Sequence, residues 1–152
     1  MKRICADSGF LIALYEQGRD PDRHELAESC FEELFENVPN RLVVPWPALY
    51  ETVSTRMVRR APSVRKIDIH WKTLRLRDQL DFVDDSPFRD TALDECLSET
   101  TKPQGTYRPL SLADRVIRGL LSDRNIQIDV LLTFNVGDFS DVCRKFRREI
   151  AP

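Results

Sequence analysis

The sequence predicts an α/β fold in which a parallel sheet is covered by helices on both faces. Short apolar runs typical of buried strands, such as residues 2–6 and 129–135, are separated by stretches whose apolar residues recur at helical spacing. A connection that contains a helix is long enough to bring the next strand back in parallel. With 152 residues, of which 41% are hydrophobic, the chain is expected to form a single domain over 1–152.

Charge and cysteine content narrow the class of protein. A formal net charge of -2 does not by itself indicate a nucleic-acid binder. No apolar run approaches the roughly 18–20 residues that cross a bilayer, and no signal-like segment follows Lys2 and Arg3, so a cytoplasmic location is expected. The cysteines are widely spaced, form no C-x-x-C pair and are expected to be free thiols: Cys5, Cys30, Cys96 and Cys143.

The first part of the chain is predicted to form two strands separated by a pair of helices. The strand at residues 2–6 is followed by a helix that fades near Gly18. A second helix places an apolar stripe opposite a row of glutamates; the stripe is Leu26, Cys30, Phe31, Leu34 and Phe35. The β-branched stretch 41–46 is the second strand, and Pro47 suits the first turn of one helix that continues through residue 58.

The second part of the chain repeats this alternation. Pro62 begins a helix rich in Arg and Lys that runs to about Asp78. A short strand at 80–84, a helix at 88–99 and a loop at 102–109 follow. An amphipathic helix then begins after Ser111, and its inward residues are predicted to be Leu112, Val116, Ile117 and Leu120. The last elements are a buried strand at 129–135 and a short helix at 139–146.

Acidic and amide side chains lie where predicted strands end and predicted helices begin. They are Asp7 after the first strand, Glu51 and Asp114 near helix starts, and Asn135 and Asp138 after the last strand. In an open parallel sheet, ligands bind outside the carboxyl ends of the strands. These side chains are therefore expected to approach one edge of the sheet.

Each acid also has a local explanation that the residues alone leave open. Asp7 is placed to cap the helix that follows it. Ser111 and Asp114 fit the S-x-x-[DE] pattern of a helix start, where an acid complements the helix dipole. Glu51 is equally explained as a surface residue in the first turns of a helix.

Five blocks of sequence, taken together, resemble the PIN-domain family of metal-dependent ribonucleases, and most of all the VapC-type toxins of type II toxin-antitoxin modules. The blocks are ADSGFLIAL (6–14), DRHELA (22–27), PALYE (47–51), SLADRVI (111–117) and LLTFNVGDF (131–139). Each block alone is a weak signal. Their order and spacing over nearly the whole chain make the resemblance specific.

The resemblance implies a PIN-like three-layer α/β/α sandwich with a central, mostly parallel sheet of four or five strands. It also implies an acidic pocket that holds Mg²⁺ or Mn²⁺, with Asp7, Glu51 and Asp114 in three of the family's acidic positions. At the fourth position many members have Asp, whereas this chain has Asn135, with Asp138 as the alternative. Because few residues follow the last block, the final strand of longer members is expected to be missing or very short.

The function implied by the resemblance is metal-dependent hydrolysis of RNA. Mg²⁺ prefers oxygen ligands, which carboxylates supply, so His24 and His70 are expected to be structural or surface residues. The implied protein is an endoribonuclease toxin that leaves a 5′-phosphate and a 3′-hydroxyl, forms a homodimer and is inhibited by an antitoxin protein. Since Asn135 brings no charge, the alternative is a catalytically weakened PIN-like module that binds RNA or protein.

Basic and hydroxyl side chains are further candidates for the site. Residues 56–77 carry eight Lys or Arg against one Asp, which predicts either a solvated helix face or a surface that contacts phosphate. The candidate RNA contacts are Arg56, Arg59, Arg60, Arg65 and Lys66. Ser8 and Thr133 lie beside the acids and are expected to orient a carboxylate or a water, although Ser8 also suits a capping role.

Overall fold

The computed structural model describes residues 1–99 and 109–152. The strands in these ranges are β1 (Arg3–Ala6), β2 (Arg41–Pro45), β3 (Leu80–Val83), β4 (Val130–Leu132) and β5 (Glu149–Ala151). The helices in these ranges are α1 (Ser8–Tyr15), α2 (Pro21–Phe35), α3 (Trp46–Thr52), α4 (Thr55–Val58), α5 (Ala61–Leu76), α6 (Ser86–Glu99), α7 (Leu112–Ser122) and α8 (Val136–Phe146).

The strands form one sheet in the order β3-β2-β1-β4-β5, and all neighbouring pairs are parallel. β1 is central, with Ile4 in register with Leu42 of β2 on one side and with Val130 of β4 on the other. Each connection between consecutive strands contains at least one helix, as parallel pairing requires. The sheet confirms the predicted α/β class and its five-stranded form.

Alternate residues of the central strands enter two separate hydrophobic cores, one on each face of the sheet. Ile4 and Ala6 belong to the core shared with α1, α2 and α5, whereas Cys5 belongs to the core shared with α7 and α8. In the same way, Val130 and Leu132 face the first core. The sheet is therefore the middle layer of the predicted α/β/α sandwich.

The strand order reverses between β1 and β4, which leaves a crevice at the carboxyl ends of these two strands. Asp7 follows β1 and Thr133 follows β4. The backbone N–H of Asp7 donates to the carbonyl oxygen of Leu132 at 3.1 Å, so the two strand ends are in register. This crevice brings together residues that are far apart in the chain.

The segment after β2 differs from its prediction. A single helix through residue 58 was expected, but Val53 leaves the helical conformation (φ -88°, ψ 43°) and Ser54 is extended (φ -72°, ψ 168°). The β-branched Thr52 and Val53 are poor helix formers, and serine favours the position just before a helix. The predicted helix is therefore two helices, α3 and α4, and the preceding strand ends at Pro45.

Two leucines that helical spacing predicts to be inward are exposed. Leu26 is 55% exposed and Leu112 is 42% exposed. The buried residues of α2 are His24, Ala27 and Phe35. Helical spacing identifies an apolar stripe, but neighbouring elements decide how far the stripe is covered. Leu112 lies at the first position of α7, where it lines an open groove rather than the core.

The remaining sequence predictions have mixed outcomes. The final strand is very short, as expected, because β5 contains three residues. α8 begins at Val136, three residues earlier than predicted, and the loop predicted at 102–109 lies outside the described residues except for Pro109.

The four cysteines are free, as expected, and His24 is structural, with Nδ1 2.7 Å from the carbonyl oxygen of Ala13. No helix in 1–99 or 109–152 is long and apolar enough to span a membrane.

Candidate active site

Asp7 lies at the centre of the crevice between β1 and β4. It is 4% exposed and caps α1, because its Oδ1 accepts a hydrogen bond from the backbone N–H of Phe10 at 2.7 Å. The capping role expected of this residue is therefore present. Each carboxylate oxygen has two acceptor sites, so a cap occupies only part of the carboxylate. Asp7 can cap a helix and still offer oxygen to a ligand.

Thr133 holds the other oxygen of Asp7. Its buried hydroxyl donates to Asp7 Oδ2 at 2.5 Å and accepts the backbone N–H of Asn135 at 2.9 Å. The side chain thereby joins the end of β4 to the end of β1. This contact is the one expected if Thr133 orients a carboxylate, and its role in the site stays a prediction.

Glu51 is tied to the same region through Ser8. Glu51 is exposed on α3, and its Oε2 accepts a hydrogen bond from the hydroxyl of Ser8, which is the residue after Asp7. Ser8 therefore orients a carboxylate from a different element. The Ser8 side chain does not act as the cap of α1, because that role belongs to Asp7.

Asp114 approaches from the start of α7. It forms a capping box with Ser111, whose hydroxyl and backbone N–H both donate to Asp114 Oδ2, at 2.7 Å and 3.1 Å. The expected local role is again present. Because both bonds use Oδ2, the capping box fixes the carboxylate while leaving Oδ1 outside it.

The charges of these acids act on one another. Burial raises the pKa of Asp7 to about 6, although its hydrogen bonds with Thr133 and Phe10 lower it. The negative charges of Asp114 and Glu51 also contribute to this rise in the pKa. The structure therefore brings Glu51 and Asp114 close enough to Asp7 for their negative charges to act on it.

The three carboxylates fit the donor chemistry of Mg²⁺ or Mn²⁺. Hard oxygen donors that repel one another are stabilised by a divalent cation. Within residues 1–99 and 109–152, however, no three acidic, histidine or cysteine side chains form a ready-made metal cluster. The sequence predicted a shared cluster at this edge. The structure brings Glu51 and Asp114 close enough for their charges to act on Asp7, but the described residues do not form a closed coordination shell.

The two candidates for the fourth position lie in different surroundings. Asn135 is joined to Asp7 through Thr133, because its backbone N–H donates to the hydroxyl that also contacts Asp7. Asp138 lies in the first turn of α8 beside Arg118, which donates to the Asp138 carbonyl oxygen at 2.6 Å. The negative charge of Asp138 helps to raise the pKa of Arg118. Asn135 is therefore the more direct neighbour of the acidic centre, and the fourth position stays a prediction.

Several of the predicted basic residues are engaged away from Asp7. Arg56 and Arg60 face the buried carboxylate of Glu16, at 3.4 Å and 3.9 Å. Glu16 follows the last residue of α1, whereas Asp7 precedes the first. Lys66 pairs with Glu28. Arg59 and Arg65 are exposed near the same helices. These contacts place Arg56, Arg60 and Lys66 in structural ion pairs.

Sequence reasoning missed two arginines that line a groove beside Asp7. Arg19 and Arg23 line a groove together with Gly9, which is two residues after Asp7. Arg23 also lies over the ring of Phe134, between Thr133 and Asn135 in the chain. Arg23 lies in the DRHELA block, but nothing in the sequence sets it apart from the more numerous Lys and Arg of residues 56–77.

Replacing Thr133 tests the link between the two strand ends. In the wild-type protein the hydrogen bond from Thr133 lowers the pKa of Asp7. Thr133→Val removes this bond, so we expect the pKa of Asp7 to rise above about 6. It should also cost about 1–3 kcal/mol of unfolding free energy by leaving the Asn135 N–H without its acceptor. The measurements are an NMR titration of the Asp7 carboxyl and urea denaturation. Thr133→Ser, which keeps the hydroxyl, is the control; equal pKa values for Asp7 in both variants would contradict this role.

Comparison with known proteins shows a likeness to a solved toxin structure. No protein-family model and no curated protein matches the sequence. Among solved structures, the fold is similar to that of VapC20 of Mycobacterium tuberculosis, described as a sarcin-ricin loop cleaving toxin. The TM-score is 0.61 at 21% sequence identity, over 91% of this chain and 93% of that chain. The comparison confirms that this chain has the fold of a VapC toxin, as the five sequence blocks predicted.

Proposed function

We propose that this chain is a metal-dependent endoribonuclease that hydrolyses RNA phosphodiester bonds and acts as the toxin of a toxin-antitoxin pair. The observation that carries the proposal is the buried carboxylate of Asp7 at the strand crevice, with the charges of Glu51 and Asp114 acting on it. A fold shared with a toxin that cleaves the sarcin-ricin loop supports the substrate class.

The proposed site assigns distinct tasks to its residues. Asp7, Glu51 and Asp114 would hold Mg²⁺ or Mn²⁺ by their oxygens. The bound ion would stabilise negative charge on the phosphate and make a water easier to deprotonate. Thr133 fixes Asp7, and Ser8 fixes Glu51, so the ligands keep their orientation. Asn135 or Asp138 would complete the acidic edge.

The partners of this enzyme are part of the same proposal. The resemblance to VapC-type toxins implies a homodimer and an antitoxin that occludes the acidic site in the cytoplasm. An apolar groove of about 490 Å³ opens beside Glu51 and supplies exposed hydrophobic surface there, with Tyr50, Leu93 and Leu112 among its lining residues. Exposed apolar surface of this kind is typical of sites that another molecule covers.

A second candidate function is binding of RNA or protein without cleavage. It is favoured by Asn135, which replaces a charged side chain at the fourth position, and by the absence of a closed acidic cluster among the described residues. A binding module does not need a divalent ion at Asp7. Metal dependence therefore separates the two candidates.

Incubating the purified protein with structured RNA tests the proposal. We expect cleavage in the presence of Mg²⁺ or Mn²⁺ and none after chelation by EDTA, because the acids act through the ion. The fragments should carry 5′-phosphates, which a 5′-phosphate-dependent exonuclease will detect. Cleavage that continues in EDTA, or RNA that stays intact with either ion over a broad set of RNAs, would contradict the proposed enzyme.

A further inference from the structure

A groove of about 200 Å³ lies between α1 and the start of α2 and carries most of its charge as arginine. Its floor is the α1 segment that contains Gly9, Ile12 and Ala13, and its wall is formed by Arg19, Asp20 and Arg23. Two arginines against one aspartate give the wall a net charge of +1. The groove is therefore suited to an anion.

One end of this groove lies next to the carboxylate of Asp7. A Cβ atom built on Gly9 would be 3.4 Å from Asp7 Oδ1, so the surface of Gly9 borders that carboxylate directly. Any larger side chain at this position would stand between the groove and Asp7. Gly9 therefore lies both on the groove floor and against the Asp7 carboxylate.

Arg23 is held at the same edge by an aromatic contact. Its guanidinium carbon lies 5.2 Å from the centroid of the Phe134 ring, which in turn stacks on Phe10 at 6.1 Å. Phe134 is bracketed in the chain by Thr133, which bonds to Asp7, and by Asn135. Two independent observations, the groove that Arg23 shares with Gly9 and its contact with Phe134, thus place this arginine beside the acidic centre.

The hydrogen-bonding capacity of Arg23 is only partly used by its acidic neighbour. Asp20 caps α2 by accepting the backbone N–H of Arg23 at 3.1 Å, and its other oxygen lies 3.3 Å from Arg23 Nε. Both side chains are about half exposed, so this ion pair is weak. A guanidinium has five N–H donors, and the terminal ones suit the oxygens of a phosphate.

The arginines predicted from the basic segment are less well placed. Arg56 and Arg60 face Glu16 beyond the far end of α1, and a helix of eight residues spans about 12 Å. Their charge is also partly neutralised by Glu16, which is buried. Arg23 of the groove wall, by contrast, contacts Phe134, the residue after Thr133, whose hydroxyl bonds to Asp7.

We propose that this groove binds a backbone phosphate of single-stranded RNA next to the bond that is cut, with Arg23 as the positioning residue and Arg19 as a second contact. This inference rests on the proposed function in taking RNA as the substrate. Phosphate binding beside an acidic centre also offsets the repulsion between the carboxylates and the RNA chain. The groove thereby fixes which phosphate lies over Asp7.

Binding measured without cleavage tests this proposal. Asp7→Asn protein in EDTA is titrated with a fluorescently labelled single-stranded RNA oligonucleotide, and anisotropy gives Kd over a range of salt concentrations. When Arg19→Gln and Arg23→Gln are introduced together into the Asp7→Asn protein, we expect Kd to rise by about 10-fold or more. The slope of log Kd against log salt should fall by about 1. Arg23→Lys, which keeps the charge, should recover part of the affinity.

Arg65→Gln in the same background is the matched control, because Arg65 is an exposed arginine of the predicted basic segment on α5. It should leave Kd within about 2-fold. An unchanged Kd in the Arg19 and Arg23 variant, a larger effect from Arg65→Gln, or no RNA binding by the parent would overturn the groove assignment. RNA binding through the groove by a protein that never cleaves RNA would instead contradict the proposed function while keeping this inference. Circular dichroism melts confirm that each variant is folded.

Discussion

Asp7→Asn is expected to reduce RNA cleavage by more than about 100-fold while the protein stays folded. Loss of a residue that merely supports a metal ligand already costs about 10- to 100-fold, and Asp7 is proposed to be a ligand itself. Asparagine is an equally good helix cap, so its carbonyl oxygen can still accept the Phe10 N–H. The change therefore removes charge while keeping the local structure.

The measurement for this variant is the initial rate of cleavage with Mg²⁺ at equal protein concentration. Glu33→Gln, which neutralises an exposed acid on α2, is the control and should cleave at the wild-type rate. Cleavage by Asp7→Asn within about 3-fold of wild type would show that the buried carboxylate is not part of the catalytic centre.

The same substitution is expected to stabilise the metal-free protein at neutral pH. The pKa of Asp7 is raised from 3.8 to about 6 in the folded state, so folding opposes its ionisation. A carboxyl with a raised pKa contributes full stability below its unfolded pKa, and that contribution is lost as the pH rises through the folded pKa. At neutral pH the ionised carboxylate therefore lowers the free energy of unfolding by up to about 3 kcal/mol. Asp7→Asn has no ionisable group and avoids this loss.

Urea denaturation in EDTA at several pH values measures this effect. The difference in unfolding free energy between Asp7→Asn and wild type should be small near pH 4 and should grow up to about pH 7. Adding Mn²⁺ should narrow the difference, because the ion stabilises only the protein that retains the carboxylate. A variant that is less stable than wild type at neutral pH in EDTA would show that burial of this charge is compensated by other contacts.

The sequence predicted the fold because its signals are local and repeat in order. The apolar run that ends at Asp7 and the run that ends near Thr133 are both buried strands, and helices separate them along the chain. Parallel pairing then follows from the length of the connections. The break between α3 and α4 was missed because it depends on weak helix formers at Thr52 and Val53, whose effect neighbouring contacts can outweigh.

The candidate site could be predicted less completely than the fold. Asp7, Glu51 and Asp114 were recognised because each lies within a recognisable block, although Glu51, which was expected near a helix start, lies in the last turn of α3 because that helix ends at Thr52. The arginines could not be ranked, because their position depends on packing between α1 and α2 and on a contact with Phe134, more than a hundred residues away. A charge count along the chain favours residues 56–77, whereas the structure gives two of those arginines a buried acid as neighbour.

The capping explanations and the functional explanations of these acids are compatible. Asp7 caps α1, and Asp114 completes the capping box of α7. In both residues the cap fixes the carboxylate at the end of a strand or a helix. Ligands of an open parallel sheet bind at this edge, in the crevice outside the carboxyl ends of the strands. The cap holds each carboxylate in place while occupying only part of its capacity to accept hydrogen bonds.

The most direct test is to measure Mn²⁺ binding to wild type and to Asp7→Asn by the electron paramagnetic resonance signal of the free ion. It shows whether carboxylates from three elements share a cation. Wild-type protein near neutral pH should take up Mn²⁺, Asp7→Asn should bind it at least about 10-fold more weakly, and Glu33→Gln should bind it as wild type does. Equal Mn²⁺ affinity for Asp7→Asn and wild type would mean that the acids around the strand crevice do not form a metal site.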